Sequence, residues 1–310
     1  MTQNLVHCLD LNFEGRPQSV AAYMFEHSDG VVLVEAGSGS MLEALKAALK
    51  AHGYGLEHIT HVLLTHIHLD HAGASGFLAR QGAQIFVHPV GAPHMLNPEK
   101  LIASAVRVYG DEMDALWGEF LPVPPEKLTV LQDNEEVVVG KLRFTAINAP
   151  GHAEHHYVYQ FEDLCLSGDV GAVRIPGYSY VRLPTPPPEF HLEKWRETIL
   201  RLQKFGFKRI APTHFGIFDD AGRHLEATLK ELDLLETWMM ANMSGDPPLD
   251  VLRQSFLETM DAQDYTEGLD KTAVDAYRLA NTNLVNMSVD GMARYWKKYR
   301  AERAAGSDHA

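Results

Sequence analysis

The stretch THIHLDHAG, residues 65–73, places His66, His68, Asp70 and His71 within six positions. It continues a short apolar run, HVLLT at 61–65, that reads as a strand. Residues two apart point the same way only from extended backbone, because strand side chains repeat every second residue and helical ones do not. His66 and His68 therefore belong to the loop leaving the strand and can grip one ion as a pair. Asp70 and His71 follow as the chain turns into a helix and can face a second ion. Imidazole and carboxylate suit zinc, iron or manganese. With 17 histidines in the chain, a lone His-x-His would be an ordinary surface feature. A His-x-His-x-Asp-His run behind an apolar strand is far harder to reach by chance.

Three further ligand-type residues stand where predicted strands end. APGHAEHH (149–156) puts His152 at a Pro-Gly turn, LCLSGD (164–169) puts Asp169 at the close of another strand, and IAPTHFG (210–216) does the same for His214. Side chains from distant segments can converge at such strand ends.

These segments, in this order, resemble the metallo-β-lactamase superfamily over residues of about 5–245. The resemblance implies an α/β fold of the αββα kind, two mixed sheets face to face with helices outside and metals at one sheet edge. It implies His66, His68 and His152 as ligands of one ion, Asp70, His71 and His214 as ligands of a second, and Asp169 as the bridge. The implied cofactors are two divalent transition metal ions, zinc before iron or manganese. Water held between two cations becomes hydroxide near neutral pH and attacks an electrophilic carbonyl or phosphorus, and the ions stabilise the oxyanion. Asp70 and Asp169 are catalytic in that sense. His156 matches a second histidine that glyoxalase-II-like proteins carry four residues after the His152 position, and is read as orienting a ligand or the substrate.

Departures narrow the subtype. The bridging Asp169 and the Asp70-His71 pair point to the glyoxalase II, lactonase and phosphodiesterase side, away from the antibiotic-cleaving lactamases. Flavodiiron proteins have Glu where this chain has His68, and an RNase Z would call for a basic docking arm. Relatives often show Asp-Thr-Gly after the second strand, where this chain has Glu35-Ala36-Gly37, one methylene longer at the acid. The reading is a binuclear hydrolase of a small ester-type substrate, a lactone or thioester. The alternatives are a phosphodiesterase, a persulfide-dioxygenase-like enzyme holding one iron with His66, His152 and Asp169, and a metal-binding protein without turnover.

Around the motif, SVAAYMFEH and VVLVEAG read as a hairpin turning at Ser28-Asp29-Gly30, and MLEALKAALKAHG as a helix closing at Gly53. Residues 91–128 are less regular and offer Tyr109, Leu116, Trp117 and Phe120 as pocket wall, or as plain core. HHYVYQF and DLCLSGD form a second hairpin across Glu162 and Asp163, with Cys165 a buried strand residue. Leu192, Trp195, Ile199 and Leu202 trace the apolar face of a helix. Tyr178 and Tyr180 occupy a Gly/Pro-rich loop where lactonases place an oxyanion-assisting tyrosine, at a different spacing. His155 reads as local packing, and His7, His27, His52, His58, His61 and His224 as surface.

Asp246 is a natural N-cap with Pro247 at the first helical position, and helix-like sequence runs from there to about residue 300. The expected organisation is a domain at 1–245 and a C-terminal helical extension at 246–310. Its last helix aligns Ala280, Leu284, Met287, Met292, Tyr295 and Tyr299, a face that docks on its own chain or pairs with a second subunit as a homodimer.

Composition sets the outer bounds. The 310 residues can bury a large core. Their 27 Lys+Arg against 41 Asp+Glu give a formal charge of −14, which repels nucleic acid unless a basic patch is segregated. The one basic run, RYWKKYRAER at 294–303, is short. Two cysteines without a Cys-x-x-Cys spacing make no disulfide framework. No basic-then-apolar leader and no apolar stretch of about 18 residues is present, so a cytoplasmic protein with a small-molecule substrate and no membrane partner is expected.

Overall fold

The computed structural model describes residues 6–271, 273–274 and 284–300. Strands β1 (Val6–Asp10), β2 (Ala21–His27), β3 (Gly30–Val34), β4 (Ile59–Leu63), β5 (Gln84–Val87) and β6 (Leu128–Val130) form one sheet in that order. β1 to β3 pair antiparallel and β3 to β6 parallel. Strands β7 (Glu136–Val139), β8 (Leu142–Asn148), β9 (Tyr157–Phe161), β10 (Leu164–Leu166) and β11 (Arg209–Ala211) form a second sheet in the order β11-β10-β9-β8-β7, parallel only between β10 and β11. Both expected hairpins are present, with His27 paired to Gly30 and Phe161 to Leu164. Gly30 is required at the first turn: its φ is +144° and a Cβ would stand 2.2 Å from the His58 carbonyl oxygen.

Alternation along the first sheet explains the layering. Ala22, Met24, Val31, Leu33, Val62 and Ile85 bury against Leu45 and Leu49 of helix α1 (Leu42–Ala51) and Leu78 farther along the chain. Their strand neighbours Ala21, Tyr23, Phe25, Val32, Val34 and Leu63 point the other way, onto Phe144, Ala146, Tyr157 and Tyr159 of the second sheet. Each Val, Leu, Ile, Phe or Met among them, taken fully out of water, contributes about 1.5–3 kcal/mol before entropy. Short helices α2 (Leu69–Ala72), α3 (Ser75–Arg80), α4 (Ala92–Leu96), α5 (Glu99–Tyr109) and α6 (Met113–Trp117) follow β4 and β5. The fold is α/β, two mixed sheets with helices, and C-terminal helices follow.

The described residues pack as two compact units: those within 6–149, 155–168 and 207–221, which hold the strands, and those within 150–154, 169–206 and 222–300. The second contains α7 (Leu192–Gln203), nearly all of α8 (Ala221–Asn242), α9 (Leu249–Thr266) and α10 (Leu284–Tyr299). Leu192, Trp195, Ile199 and Leu202 are buried, as their spacing predicts. Helix α10 docks within this unit: the Tyr295 hydroxyl donates to Glu193 on α7 at 2.6 Å, and Arg300 reaches Glu193 and, on α8, Glu236. Met292 and Tyr295 are buried, whereas Tyr299 is exposed and Ala280 lies outside the described residues.

Two local expectations fail. Asp246 is not an N-cap; it has a φ of +53° directly after Gly245 at +79°, a left-handed pair that turns the chain, and its carboxylate pairs with Lys297 at 2.7 Å. Helix α9 starts later, at Leu249. His224 is not a surface residue either: it is buried, its Nε2 donates to the Gly171 carbonyl at 2.5 Å, and its Nδ1 faces Arg174 at 3.3 Å. His7, His27 and His61 are half-buried, the last two on either side of the Thr60 hydroxyl. No described helix is long and apolar enough to cross a membrane.

Candidate metal centre

In the strand-bearing unit, the loops after β3, β4 and β11 converge on one buried carboxylate. Glu35, the residue that follows β3, adopts a φ of +74°, which non-glycine residues seldom occupy. Its Oε1 accepts from Thr65 Oγ1 at 2.5 Å, Thr213 Oγ1 at 2.8 Å and His71 Nδ1 at 2.9 Å, and its Oε2 from the Thr65 amide at 3.3 Å. The Thr65 amide and hydroxyl fix the exit from β4, the Tyr159 hydroxyl ties down the Leu64 carbonyl at 3.0 Å, and the Tyr157 amide that of Thr65 at 2.6 Å. Glu35 thus spends its lone pairs as a hub of hydrogen bonds.

What the hub positions are imidazoles with one nitrogen committed and the other turned inward. His71 gives Nδ1–H to Glu35, so Nε2 carries the lone pair, 3.5 Å from Asp70 Oδ2. His214 donates Nδ1–H to the Ser19 carbonyl at 2.7 Å and turns Nε2 to the same Asp70 oxygen at 3.4 Å. One ligand atom from each of Asp70, His71 and His214 lies within 4.8 Å of the others. Burial pushes the Asp70 carboxyl up, but when His71 and His214 also carry a proton on Nε2 their charge and hydrogen bonds outweigh it and hold the group well below the usual carboxylate range; a bound cation would take the place of those protons. Nearby, His66 Nδ1 meets the Thr65 hydroxyl at 3.0 Å, and its Nε2 is 2.9 Å from His68 Nδ1. Two imidazole nitrogens at that separation can share a proton or turn their lone pairs on one cation.

The second unit holds its own pair. His152 donates Nδ1–H to the Pro184 carbonyl at 2.9 Å and sets Nε2 3.4 Å from Asp169 Oδ2. Both segments are seated on Trp195 of α7. Its indole N–H donates to the Val170 carbonyl at 3.0 Å, its ring meets His152 edge-on at 5.7 Å, and a Cβ on Gly151 would lie 2.3 Å from its Cα. Fixing the second nitrogen by a carbonyl or carboxylate, as in His71, His152 and His214, is how proteins orient metal-binding imidazoles. The donor set, borderline nitrogen and hard oxygen, fits a divalent transition metal.

Comparison with known proteins agrees with this chemistry. The family model described as the metallo-beta-lactamase superfamily matches residues 15–214. The chain belongs to that superfamily. It is 27% identical over 181 residues to the metallo-beta-lactamase fold-containing protein ST1585 of Sulfurisphaera tokodaii, covering 57% of this chain and 67% of the relative. Among solved structures, the family protein TTHA1429 from Thermus thermophilus superposes with a TM-score of 0.70 at 19% identity, over 95% of this chain and 93% of that one. The crystal structure of ST1585 gives 0.61 at 21% identity, over 93% and 97%. MEM-A1, a subclass B3 metallo-beta-lactamase isolated from a soil metagenome library, gives 0.55 at 18%, over 74% and 92%. At these identities the superpositions establish the superfamily fold.

Placement of the remaining candidates differs from residue to residue. His156 is buried with its ring stacked on His66 at 4.8 Å, and Gly168 packs so closely that a Cβ there would be 2.7 Å from both His156 Nε2 and Thr65 Oγ1. His155, read as local packing, faces the motif itself: its Nδ1 accepts from the Ile67 amide at 3.4 Å and its ring meets His68 edge-on at 5.4 Å. Trp117 and Phe120 belong to the core, Trp117 stacking on Phe13 at 5.2 Å, so they are not free pocket wall. Tyr109 packs edge-on against Trp117 at 5.1 Å; burial first, and then the charge of Asp70, push its phenol above the ordinary value. Tyr180 is buried with Val173, Leu269 and Ala273, and Tyr178 packs on that cluster, so both are structural. Cys165 is a buried strand residue whose thiol burial pushes up. The supporting roles of Thr65, Thr213, Ser19, Pro184 and Trp195 carry no motif signal and come only from the geometry.

Proposed function

We propose that this protein is a metal-dependent hydrolase that holds two divalent ions and cleaves a small ester-type substrate, a lactone or a thioester. Asp70, His71 and His214 hold one ion, His66, His68 and His152 the other, and Asp169 bridges. The observation that carries the reading is the Asp70-His71-His214 group, three ligand atoms within 4.8 Å whose two imidazoles are each locked through the opposite nitrogen. A mononuclear enzyme using His66, His152 and Asp169 would leave this prepared group without a task.

Such ions, when bound, lower the pKa of water and polarise an acyl oxygen. The chain's own residues do the rest. Glu35 fixes the His71 tautomer and the β4 exit. Asp70, held ionised by its histidine neighbours, supplies negative charge at neutral pH. His156, stacked beneath His66, restrains that ring. Tyr109, half-buried within the field of Asp70, offers an apolar face with a hydroxyl tip to an acyl substrate. The formal charge of −14 works against long polyanions.

The test is elemental analysis of protein purified without added metal, followed by a substrate panel at fixed protein and metal: acyl-homoserine and simple lactones, glutathione thioesters, bis(p-nitrophenyl) phosphate, and oxygen uptake with glutathione persulfide. The expectation is about two equivalents of transition metal per chain and ester or thioester turnover well above phosphodiester turnover. One tightly held iron with persulfide-dependent oxygen uptake, or a phosphodiester as best substrate, overturns it.

A further inference from the structure

The acceptor that orients His152 is held from the far end of the chain. Pro184, whose carbonyl takes the His152 Nδ1–H, is followed by Thr185. The Thr185 hydroxyl donates to the Ser288 carbonyl on α10 at 3.1 Å, across 103 residues of sequence, and its amide faces Ser288 Oγ at 3.5 Å. Thr185 and Ser288 are 0% and 1% exposed, so water does not compete for these groups. One turn farther along α10, Gly291 packs so closely that a Cβ would stand 2.0 Å from the Thr185 carbonyl oxygen and 2.9 Å from the Pro186 carbonyl carbon.

We propose that helix α10 is a positioning element for the His152 imidazole, acting through Gly291 and Ser288 on Thr185 and from there on the Pro184 carbonyl. The inference rests on the reading of His152 as a metal ligand. The mechanical link is the peptide plane: the Pro184 C=O and the Thr185 N–H are two ends of one rigid group, so a contact that tilts one end tilts the other. The Pro184 ring fixes its φ, so from the preceding side that plane turns only about the Pro184 ψ. α10 closes it from the following side, pressing where only glycine fits. The carbonyl direction then sets which His152 nitrogen keeps the proton and where Nε2 points.

The experiment measures zinc affinity by chelator competition on the full-length protein, with unfolding of the metal-free form followed in parallel by circular dichroism. His152→Ala is the control for the underlying reading. It should cost one zinc equivalent, and if both equivalents stay, the ligand assignment itself is wrong. Given that loss, Thr185→Val and Gly291→Ala should each weaken one of the two zinc ions by about 10–100-fold, the range for groups that orient a ligand. Thr185→Ser, which keeps the hydroxyl, should restore the wild-type affinity. Thr185→Val is nearly isosteric and decides the matter alone if Gly291→Ala does not fold. Should Thr185→Val lower the melting temperature while both zinc affinities stay at wild-type values, α10 is only a structural prop and the proposal fails.

Discussion

Glu35 and His71 form a fully buried pair, 2.9 Å between Oε1 and Nδ1, with both side chains at 0% exposure. The contact gives the imidazole its tautomer, and the same carboxylate also receives Thr65 and Thr213. Glu35→Gln keeps the volume but replaces an acceptor-only group with one whose amide N–H₂ cannot accept. The one oxygen that Gln retains has to serve Thr65, Thr213 and His71 without the carboxylate's charge, and the Thr65 amide loses its acceptor, so the bond that turns His71 Nε2 inward is weakened. The expected result is a drop in affinity for the Asp70-side ion of about 10–100-fold, measured by zinc–chelator competition. Unchanged affinity would show that His71 is not oriented by Glu35.

Asp169 and Cys165 offer a contrast within one short segment. Asp169 faces His152 Nε2 at 3.4 Å, whereas Cys165 is buried in β10 among apolar neighbours. In the proposed bridging role, Asp169→Asn would put a neutral amide, a poor ligand for two cations, in place of the carboxylate, and should abolish most activity together with loss or displacement of metal. Cys165→Ala should leave metal content intact and cost only packing. Full metal and near-normal turnover in the Asp169 variant would remove it from the bridging role.

His156 stacks on His66 without standing in the Asp70-His71-His214 group. His156→Ala should therefore keep close to the wild-type metal content while reducing kcat by about 10–100-fold. Metal analysis and steady-state kinetics on the same preparation separate the outcomes. If a whole metal equivalent disappears, His156 is itself a ligand.

The candidate ligand residues are legible because they follow strand ends in recognisable local patterns, Asp70 and His71 on the short helix α2 just past β4, and period-two alternation marks the strands that lead to them. What holds the ligands is not. Thr65 and Thr213 are ordinary residues until folding brings β4 and β11 to the same carboxylate, and Pro184 matters through a backbone carbonyl that no side-chain pattern announces. His224 shows the opposite error: a histidine without neighbours in spacing is buried because its partners, Gly171 and Arg174, come from another segment. Trp117 was ambiguous for a related reason, since an aromatic in an irregular stretch can line a pocket or fill a core, and Phe13, from the far side of four strands in sequence, decides for the core. Glu35 was the partial success. Its extra methylene, against the Asp common in relatives, put support behind the metal loop in question, and the backbone turn at φ +74° that lets the longer side chain reach appears only in three dimensions.

The last prediction concerns stability against pH and a group outside the metal centre. Glu231 on α8 is 8% exposed and takes a hydrogen bond from Gln263, with Arg182, Glu267 and Asp264 around it. Burial is the largest influence and raises its carboxyl from the ordinary 4.5 to about 8, the opposing pull of Gln263 and Arg182 being smaller. Between those two values the folded chain keeps a proton that the unfolded chain releases. The native state binds more protons there, so this group's contribution to stability is fully present below pH 4.5 and is lost as pH rises through about 8. The slope reaches about 1.4 kcal/mol per pH unit. Glu231→Gln cannot ionise and can keep an amide contact with Gln263. Urea unfolding of both proteins at several pH values from about 5 to about 8 isolates the group, since every other titration is shared. The variant should gain on the wild type steadily as pH rises, and two stability curves that stay parallel would mean that Glu231 is ionised in the folded protein throughout.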